Sequence, residues 1–441
     1  MRLLVVDPGG DALDFCLRAK NAGHEVLHWM RAMRETEYIG RGLVTRVADW
    51  REHIAGVDLV FLSDNTHWLR ELDAWRDRGT PIFGCNQDAA ELELNRQAGQ
   101  QVLKAVGIDT LPYKTFSAAK PAIAYVKDRM APVVSKPNAD ADKGMSYVAK
   151  TPEDMVYMLE RWDRLGKLKG EFILQDYVPG CEMAVGGWFG PGGWNRGWCE
   201  NFEFKKMMDG DLGVNTGEQG TVLRYVAQSK LAKAVLEPVG DWLEDRDYCG
   251  YIDVNCIIDD EGTPWPLEFT CRPGWPTFNI QQVLLDGDPV DWMMETLEGN
   301  DPTCWELDRV ALGVVMTIPD YPYSHVTRKE VVGVPVYGVT PAIAPNIHPL
   351  HIMLGEMPVE IQGKIATVPG YVTGGDYVLA TTGTGETILE AKNMAYRIMR
   401  RLKLPNSPQY RTDIGDRLKK QLPDCQKHGY ATGLVWDSPK S

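Results

Sequence analysis

Apolar positions in the first part of the chain fall in short runs between polar turns. Leu3-Leu4-Val5-Val6 is a buried-strand run, Pro8-Gly9-Gly10 a turn, and Asp11 to Ala22 has apolar residues at helical spacing. His24-Glu25-Val26-Leu27 and Val57-Asp58-Leu59-Val60-Phe61-Leu62 read as further strands, so the chain opens as a Rossmann-like βαβ unit. From about residue 117 the pattern changes. Ser117 to Met130 predicts a helix, Pro132 to Lys136 a strand, Thr151 to Leu165 an amphipathic helix and Phe172 to Val178 another strand, together a small α+β lobe. Trp188 to Trp198 is rich in Gly and Trp, as tight hairpins require. Tyr251 to Ile258 and Trp265 to Phe269 are strands joined by the turn sequence Asp259-Asp260-Glu261-Gly262. A Pro-rich stretch from Ile318 to Pro349 opens the last section, which closes on a helix from Glu386 to Leu402 with Arg397, Arg400 and Arg401 toward its C-terminal end. The fold class expected is a multi-lobe mixture of α/β and α+β units, without internal repeats.

Composition narrows the partners. The 441 residues are 44% apolar and 24% charged, as in a globular protein of several lobes. No apolar run could span a bilayer, and the four apolar residues after Arg2 end at Asp7, which reads as a first strand rather than a leader. With 47 basic against 61 acidic side chains the net charge is −14, a poor match to nucleic acid. The nine cysteines have no framework spacing and read as reduced, mostly buried thiols of a cytoplasmic protein. Without Cys/His ligand spacing, any metal is expected to be a hard cation held by oxygen.

Several residues could carry chemistry. Lys136 ends a buried-looking strand and Lys143 follows in Asn138-Ala139-Asp140-Ala141-Asp142-Lys143-Gly144, where a strand-end lysine could reach a phosphate beneath a closing loop. Two ordinary surface lysines would read the same way. Glu268 sits inside the apolar strand Pro266-Leu267-Glu268-Phe269-Thr270, and alternation puts Glu268 and Thr270 on one face, with Arg272 close behind. That acid could hold Mg²⁺, or form a structural ion pair. Gly213-Val214-Asn215-Thr216-Gly217-Glu218-Gln219-Gly220 could present backbone N–H groups to an anion, or form a hairpin turn, with Lys205 and Lys206 upstream. The early Asp7-Pro8-Gly9-Gly10 does not complete G-x-G-x-x-G, so dinucleotide binding is not expected.

The order of these motifs resembles the phosphoribosylamine–glycine ligase family of the ATP-grasp superfamily, over roughly residues 1 to 420. Pro81-Ile82-Phe83-Gly84 and Leu92-Glu93-Leu94-Asn95-Arg96 are similar to the family's I-F-G-P and L-E-x-S-K, and Ala131 to Lys136 to its A-P-x-V-x-K strand. Ile173 to Glu182 resembles I-E-E-F-L-x-G-E-E, Lys205 to Gly220 the family's K-R-x-x-D-x-D-x-G-P-N-T-G-G-M-G, and Leu267 to Arg272 its I-E-F-N-C-R. Thr381 to Thr387 and Tyr410 to Gly415 resemble V-T-A-x-G-x-T and C-R-x-D-I-G near the end. The resemblance implies an ATP-grasp fold divided into an N-terminal Rossmann-like domain (1–116), a lid lobe (117–187), a central lobe with a metal site (188–310), a C-terminal lobe (311–425) and a tail (426–441). It implies ATP bound by Arg96, Lys136, Lys143, Gln175, Asp176, Tyr177, Val178 and Glu182. Mg²⁺, or Mn²⁺, would be held by Glu268, Thr270 and Asn255. Substrate would meet Gly9, Gly10, Lys205, Asn215, Thr216, Gly217 and Arg272, with Arg272, Lys143 and Asn215 nearest the chemistry.

The departures cluster around substrate and metal. The family's R-E-H-A after the first glycines is Asp11-Ala12-Leu13-Asp14 here, its metal asparagine is Thr270, F-G-D-P-E is Pro273-Gly274-Trp275-Pro276-Thr277, and N-T-G-G-M-G is N-T-G-E-Q-G. Three readings stand at this point. One is a purine-biosynthesis ligase joining glycine to phosphoribosylamine. Another applies the same acyl-phosphate chemistry to a different amino acid or amine, and the third is a nucleotide-binding protein without catalysis. The expected partners are small molecules, and the expected state is a monomer or homodimer.

Overall fold

The computed structural model describes residues 1–137, 145–323, 327–405 and 407–438. The chain opens with a parallel sheet of five strands, β1 (Arg2–Val6), β2 (Glu25–Trp29), β3 (Thr45–Val47), β4 (Leu59–Leu62) and β5 (Ile82–Phe83), ordered β3-β2-β1-β4-β5. Both faces are covered, which is why β4, and β1 after Arg2, are apolar and buried. The order reverses between β1 and β4. Crevices at the carboxyl ends of such a pair are where open α/β sheets bind ligands.

A four-stranded sheet follows, β6 (Tyr113–Phe116), β7 (Val133–Pro137), β8 (Tyr147–Val148) and β9 (Phe172–Asp176), in the order β6-β9-β7-β8. Helices Ala119–Arg129 and Pro152–Arg164 cover it, the second started by the Thr151 side chain accepting from the Asp154 N–H. Met155, Leu159, Trp162, Phe172 and Leu174 give this lobe a core of its own. β6 belongs to this sheet although it precedes residue 117.

The central sheet has nine strands: β10 (Cys181–Gly190), β11 (Gly193–Trp194), β12 (Trp198–Glu203), β15 (Gly220–Val226), β16 (Gly250–Ile258), β17 (Pro264–Thr270), β18 (Val310–Thr317), β19 (Ile347–Pro349) and β22 (Tyr377–Gly385). β13 (Lys206–Met208) pairs with β14 (Leu212–Asn215), and β20 (Ile352–Ile361) with β21 (Lys364–Thr373), as separate ribbons. The central sheet runs on through β18, β22 and β19, so the chain after residue 310 shares its hydrogen-bond ladder.

Aromatic packing joins the first lobe to this sheet. Trp188 lies 4.6 Å from Trp292, 4.8 Å from Tyr251 and 5.7 Å from Phe83 of β5, centroid to centroid, and its indole N–H donates to the Tyr225 hydroxyl at 3.0 Å. Trp188→Ala should cost about 3–5 kcal/mol of stability, seen as a lower urea midpoint.

The expectation of nine reduced thiols is corrected in part. Cys181, at the start of β10, and Cys425, on helix Leu418–Gln426, form a disulfide across 244 residues of sequence. Only the packing of that helix against β10 brings them together, so linear spacing could not reveal it. The other seven cysteines are free and buried. Among the described residues, no helix is long and apolar enough to cross a membrane.

Candidate active site

Register builds one polar face on the central sheet. Asn255 of β16 lies opposite Glu268 of β17, and Asp253 opposite Thr270. Ala184 of β10 lies opposite both Asn255 and Asn201 of β12. Cross-strand partners share a face and residues two apart repeat it, so Glu182, Asn201, Glu203, Asp253, Asn255, Glu268 and Thr270 project to one side. Alternation thus places Glu268 and Thr270 together, as expected. A register slip between Asn255 and Cys256 leaves Leu267 unopposed in this ladder. Its carbonyl then accepts from Lys136 Nζ and Gln100 Nε2, both at 3.4 Å.

Three cations converge on these acids. Arg96, the first residue of helix Arg96–Ala105, is ion-paired with Glu268. Lys205 Nζ lies 3.0 Å from Glu203, 3.3 Å from Glu182 and 3.6 Å from Glu268. Lys136 is only 7% exposed, which disposes of the surface-lysine reading. Burial would raise the Glu268 carboxyl, but Arg96, Lys205 and Lys136 together hold it well below the usual range. For Lys136 burial wins and brings the ammonium down to about 8, despite Glu268. Lys205 goes the other way. Burial opposes its charge, yet Glu203, Glu182 and Glu268 raise it well above its ordinary value. Burial and the Glu203 charge lift Asp253 to about 7.

The four-stranded sheet supplies a second wall. Val134 faces Gln175 and Lys136 faces Ile173 across β7 and β9, so Lys136 and Gln175 share a face. Gln175 is 1% exposed, and among the described residues neither its amide oxygen nor its nitrogen has a partner. Buried amides left this way are rare, and this one can pair with the polar edge of a ligand. Asp176 is ion-paired with Arg129, Tyr177 is exposed and Val178 half-buried. Asn255 donates to Glu203 at 3.2 Å, while its buried Oδ1 has no partner among the described residues. An unpartnered amide oxygen beside Glu268, Glu203 and Thr270 is an all-oxygen donor set that fits a hard divalent cation. Lys143 lies outside the described residues.

Arg272 faces other groups. It is 3.2 Å from Glu93, and the Glu93, Asp64 and Asp11 charges raise it further. Glu93 also accepts from Asn65 Nδ2 at 2.7 Å and the Cys271 N–H at 2.8 Å, fixing the chain just before Arg272. Asn215 donates to the Ser146 carbonyl at 3.1 Å and so touches the lid. The Gly213–Gly220 segment takes the hairpin form rather than an open N–H cradle. Thr216 N–H donates to Lys205 O and Gln219 N–H to Phe204 O, each at 2.8 Å, while Gly217 is exposed.

Gly9 and Gly10 do not form an open anion cradle either. The buried Asp7 carboxylate accepts the N–H groups of Gly10 at 3.2 Å, Asp11 at 3.1 Å and Ala12 at 2.8 Å. It also accepts from Ser63 Oγ at 2.7 Å, across the switch point, and pairs with His28 at 2.8 Å. Burial opposes its charge, but the His28 bond and charge, with the Ala12 and Ser63 bonds, hold it below the ordinary range. The turn has supplied its own anion.

Sequence reading gave no role to Glu203, Asp253, Asn201 or Glu93. A signal was present in Asn201-Phe202-Glu203 and Asp253-Val254-Asn255, where polar residues two apart interrupt buried strands.

The family described as phosphoribosylglycinamide synthetase, ATP-grasp (A) domain, matches residues 95–277. Phosphoribosylamine–glycine ligase of Allochromatium vinosum is 28% identical over 363 residues, covering 78% of this chain and 80% of the relative. The Salmonella typhimurium protein of that name is 29% identical over 364 residues, with the same two shares of 78% and 80%. The crystal structure of phosphoribosylamine–glycine ligase from Thermotoga maritima superposes with a TM-score of 0.70 at 20% identity, covering 94% of this chain and all of that one (100%). The fold is therefore the ATP-grasp fold.

Proposed function

We propose that this chain, a divergent member of the phosphoribosylamine–glycine ligase family of ATP-grasp proteins, is an ADP-forming carboxylate–amine ligase. The observation that carries this reading is the meeting of Arg96, Lys136 and Lys205 with Glu268 between the lid and central sheets. Joining a carboxylate to an amine in water needs prior activation, and activation by ATP needs cations on the phosphates and a place from which water is excluded.

In this reading the adenine edge is received by Gln175 to Val178 and the ribose by Glu182. Arg96, Lys136 and Lys205 neutralise the phosphate chain. Glu268 and Asn255 would hold Mg²⁺ with Thr270, or the neighbouring Glu203, completing the oxygen set. Bound there, the ion would supply positive charge against the charge that develops on the phosphates. The substrate carboxylate oxygen attacks the γ-phosphorus and ADP leaves. The amine nitrogen then attacks the acyl carbon and inorganic phosphate leaves with the C–O bonding pair. Arg272, Asn215, Thr216 and Gly217 line the substrate side. No protein nucleophile is required. A cytoplasmic monomer or homodimer accords with this chemistry.

The relatives' names supply glycine and phosphoribosylamine as the first pair to test. The Asp7 carboxylate in the β1 turn favours a second reading, in which the amine is a different one, because those N–H groups are not free for a phosphate. ADP release from Mg-ATP separates the two. Release requiring glycine and phosphoribosylamine together supports the relatives' reaction, and release only with another pair supports the second. Silence with every pair would count against the ligase.

A further inference from the structure

Glu218 stands where the relatives' motif has glycine, and nothing in the reaction outlined above uses it. It is 5% exposed; one carboxyl oxygen accepts from Thr277 Oγ1 at 3.0 Å, and the other has no partner among the described residues. A buried carboxyl oxygen without a donor is costly unless a ligand supplies one. The adjacent Gly217 is exposed, and among the described residues a Cβ there would meet nothing within 4 Å. The flanking groups also point to the reaction centre. Glu203, Lys205 and Asp253 of the polar face act on Glu218 electrostatically. From the other side, the Tyr377 hydroxyl donates to the Glu218 carbonyl at 3.4 Å, and Tyr377 also lies in the field of Asp11.

Resting on the ligase reading, we infer that Glu218 is the seat of the amine substrate's ammonium group and the base that takes its proton. An amine arrives from water as an ammonium and cannot attack while protonated. The ammonium N–H donates to the unpartnered oxygen, and the proton passes to Glu218. The freed lone pair forms the C–N bond as phosphate leaves the acyl carbon, and the second proton that the nitrogen must lose to become an amide departs with the phosphate. Burial and the nearby Glu203 charge raise the carboxyl well above its ordinary value, which suits a group that must accept a proton near neutral pH. The same position sets a signature. Burial and the Glu203 charge favour the protonated carboxyl and a seated ammonium favours the ionised one, so seating an ammonium is coupled to proton release.

The test is calorimetric titration of the full chain, loaded with Mg-ADP, using short primary amines from ethylamine to 1,4-diaminobutane. Buffers of different ionisation heat count the protons. Saturable binding with proton release is expected, and Glu218→Gln should weaken it at least about tenfold and abolish the release. A cooperative thermal melt of the variant guards against mere unfolding; if it fails, Thr277→Val, which removes only the second carboxyl bond, takes its place and should shift the pH dependence of binding. No saturable binding in the wild type, or unchanged proton release in both variants, overturns the assignment. Failure of Mg-ADP itself to bind sinks the ligase reading instead, and the amine titration repeated without nucleotide then decides Glu218 by the same criteria.

Discussion

Glu268→Gln should lower ADP release at least about a thousandfold while leaving the fold in place. Glutamine keeps the size and one oxygen of the side chain but removes its charge. That charge is the counter-ion of Arg96 and Lys205 and the nearest attraction holding a proton on buried Lys136. It is also the single acid in the expected metal set of Glu268, Thr270 and Asn255. Losing a metal-coordinating carboxylate removes several kcal/mol of transition-state stabilisation, and about 4 kcal/mol is a thousandfold in rate. The native Glu268 stays ionised throughout neutral pH, because its three cations outweigh its burial. Weak activity in the variant therefore cannot be recovered by raising the pH. A coupled ADP assay measures the rate, and a urea titration checks that the midpoint stays within reach of the wild type. Undiminished turnover in a folded variant would refute the mechanism.

Much of this site could be read from sequence because strand periodicity is a local property. The face shared by Glu268 and Thr270 follows from alternation within one strand, and Asn255 needed only the neighbouring strand. Partners that depend on register or on distant elements were not available that way. Arg96 reaches Glu268 from a helix 172 positions earlier, and Arg272 turns to Glu93 instead of joining that cluster. The register slip that presents the Leu267 carbonyl to Lys136 leaves no mark in composition. The two glycine-rich turns show the opposite limit. Glycine permits a backbone conformation but does not say who receives its N–H groups, and in both turns the chain itself receives them, through Asp7 in one and the carbonyls of Phe204 and Lys205 in the other. The strand and helix periods of the first 180 residues are local, whereas β6 joining the sheet of the stretch after it, and the continuation of one ladder from β15 through β18 to β22, required the pairing itself.

Lys136→Met should weaken nucleotide binding about a hundredfold yet leave the empty protein no less stable at pH 7. The two effects share one cause. Burial brings the ammonium from its ordinary 10.5 down to about 8, so keeping it charged in the folded protein costs about 3 kcal/mol below that pH. Between pH 8 and 10.5 the unfolded chain holds a proton that the folded chain has released, and stability therefore rises with pH across that window. The cost is fully present below pH 8 and gone above 10.5. Methionine fills similar space without a charge, so the variant should lose this rise, although Glu268 then has one cation fewer and part of the gain is offset. Nucleotide reverses the balance. Phosphate oxygens at Lys136 favour the charged form and make charge-assisted hydrogen bonds, each worth about tenfold or more in affinity. Wild-type affinity for ATP should accordingly fall as pH climbs past 8, while the variant stays weak and flat. Urea denaturation and nucleotide titration at pH 7, 8, 9 and 10 measure both halves. Parallel pH profiles for the two proteins would mean that Lys136 neither carries the desolvated charge nor meets the phosphates.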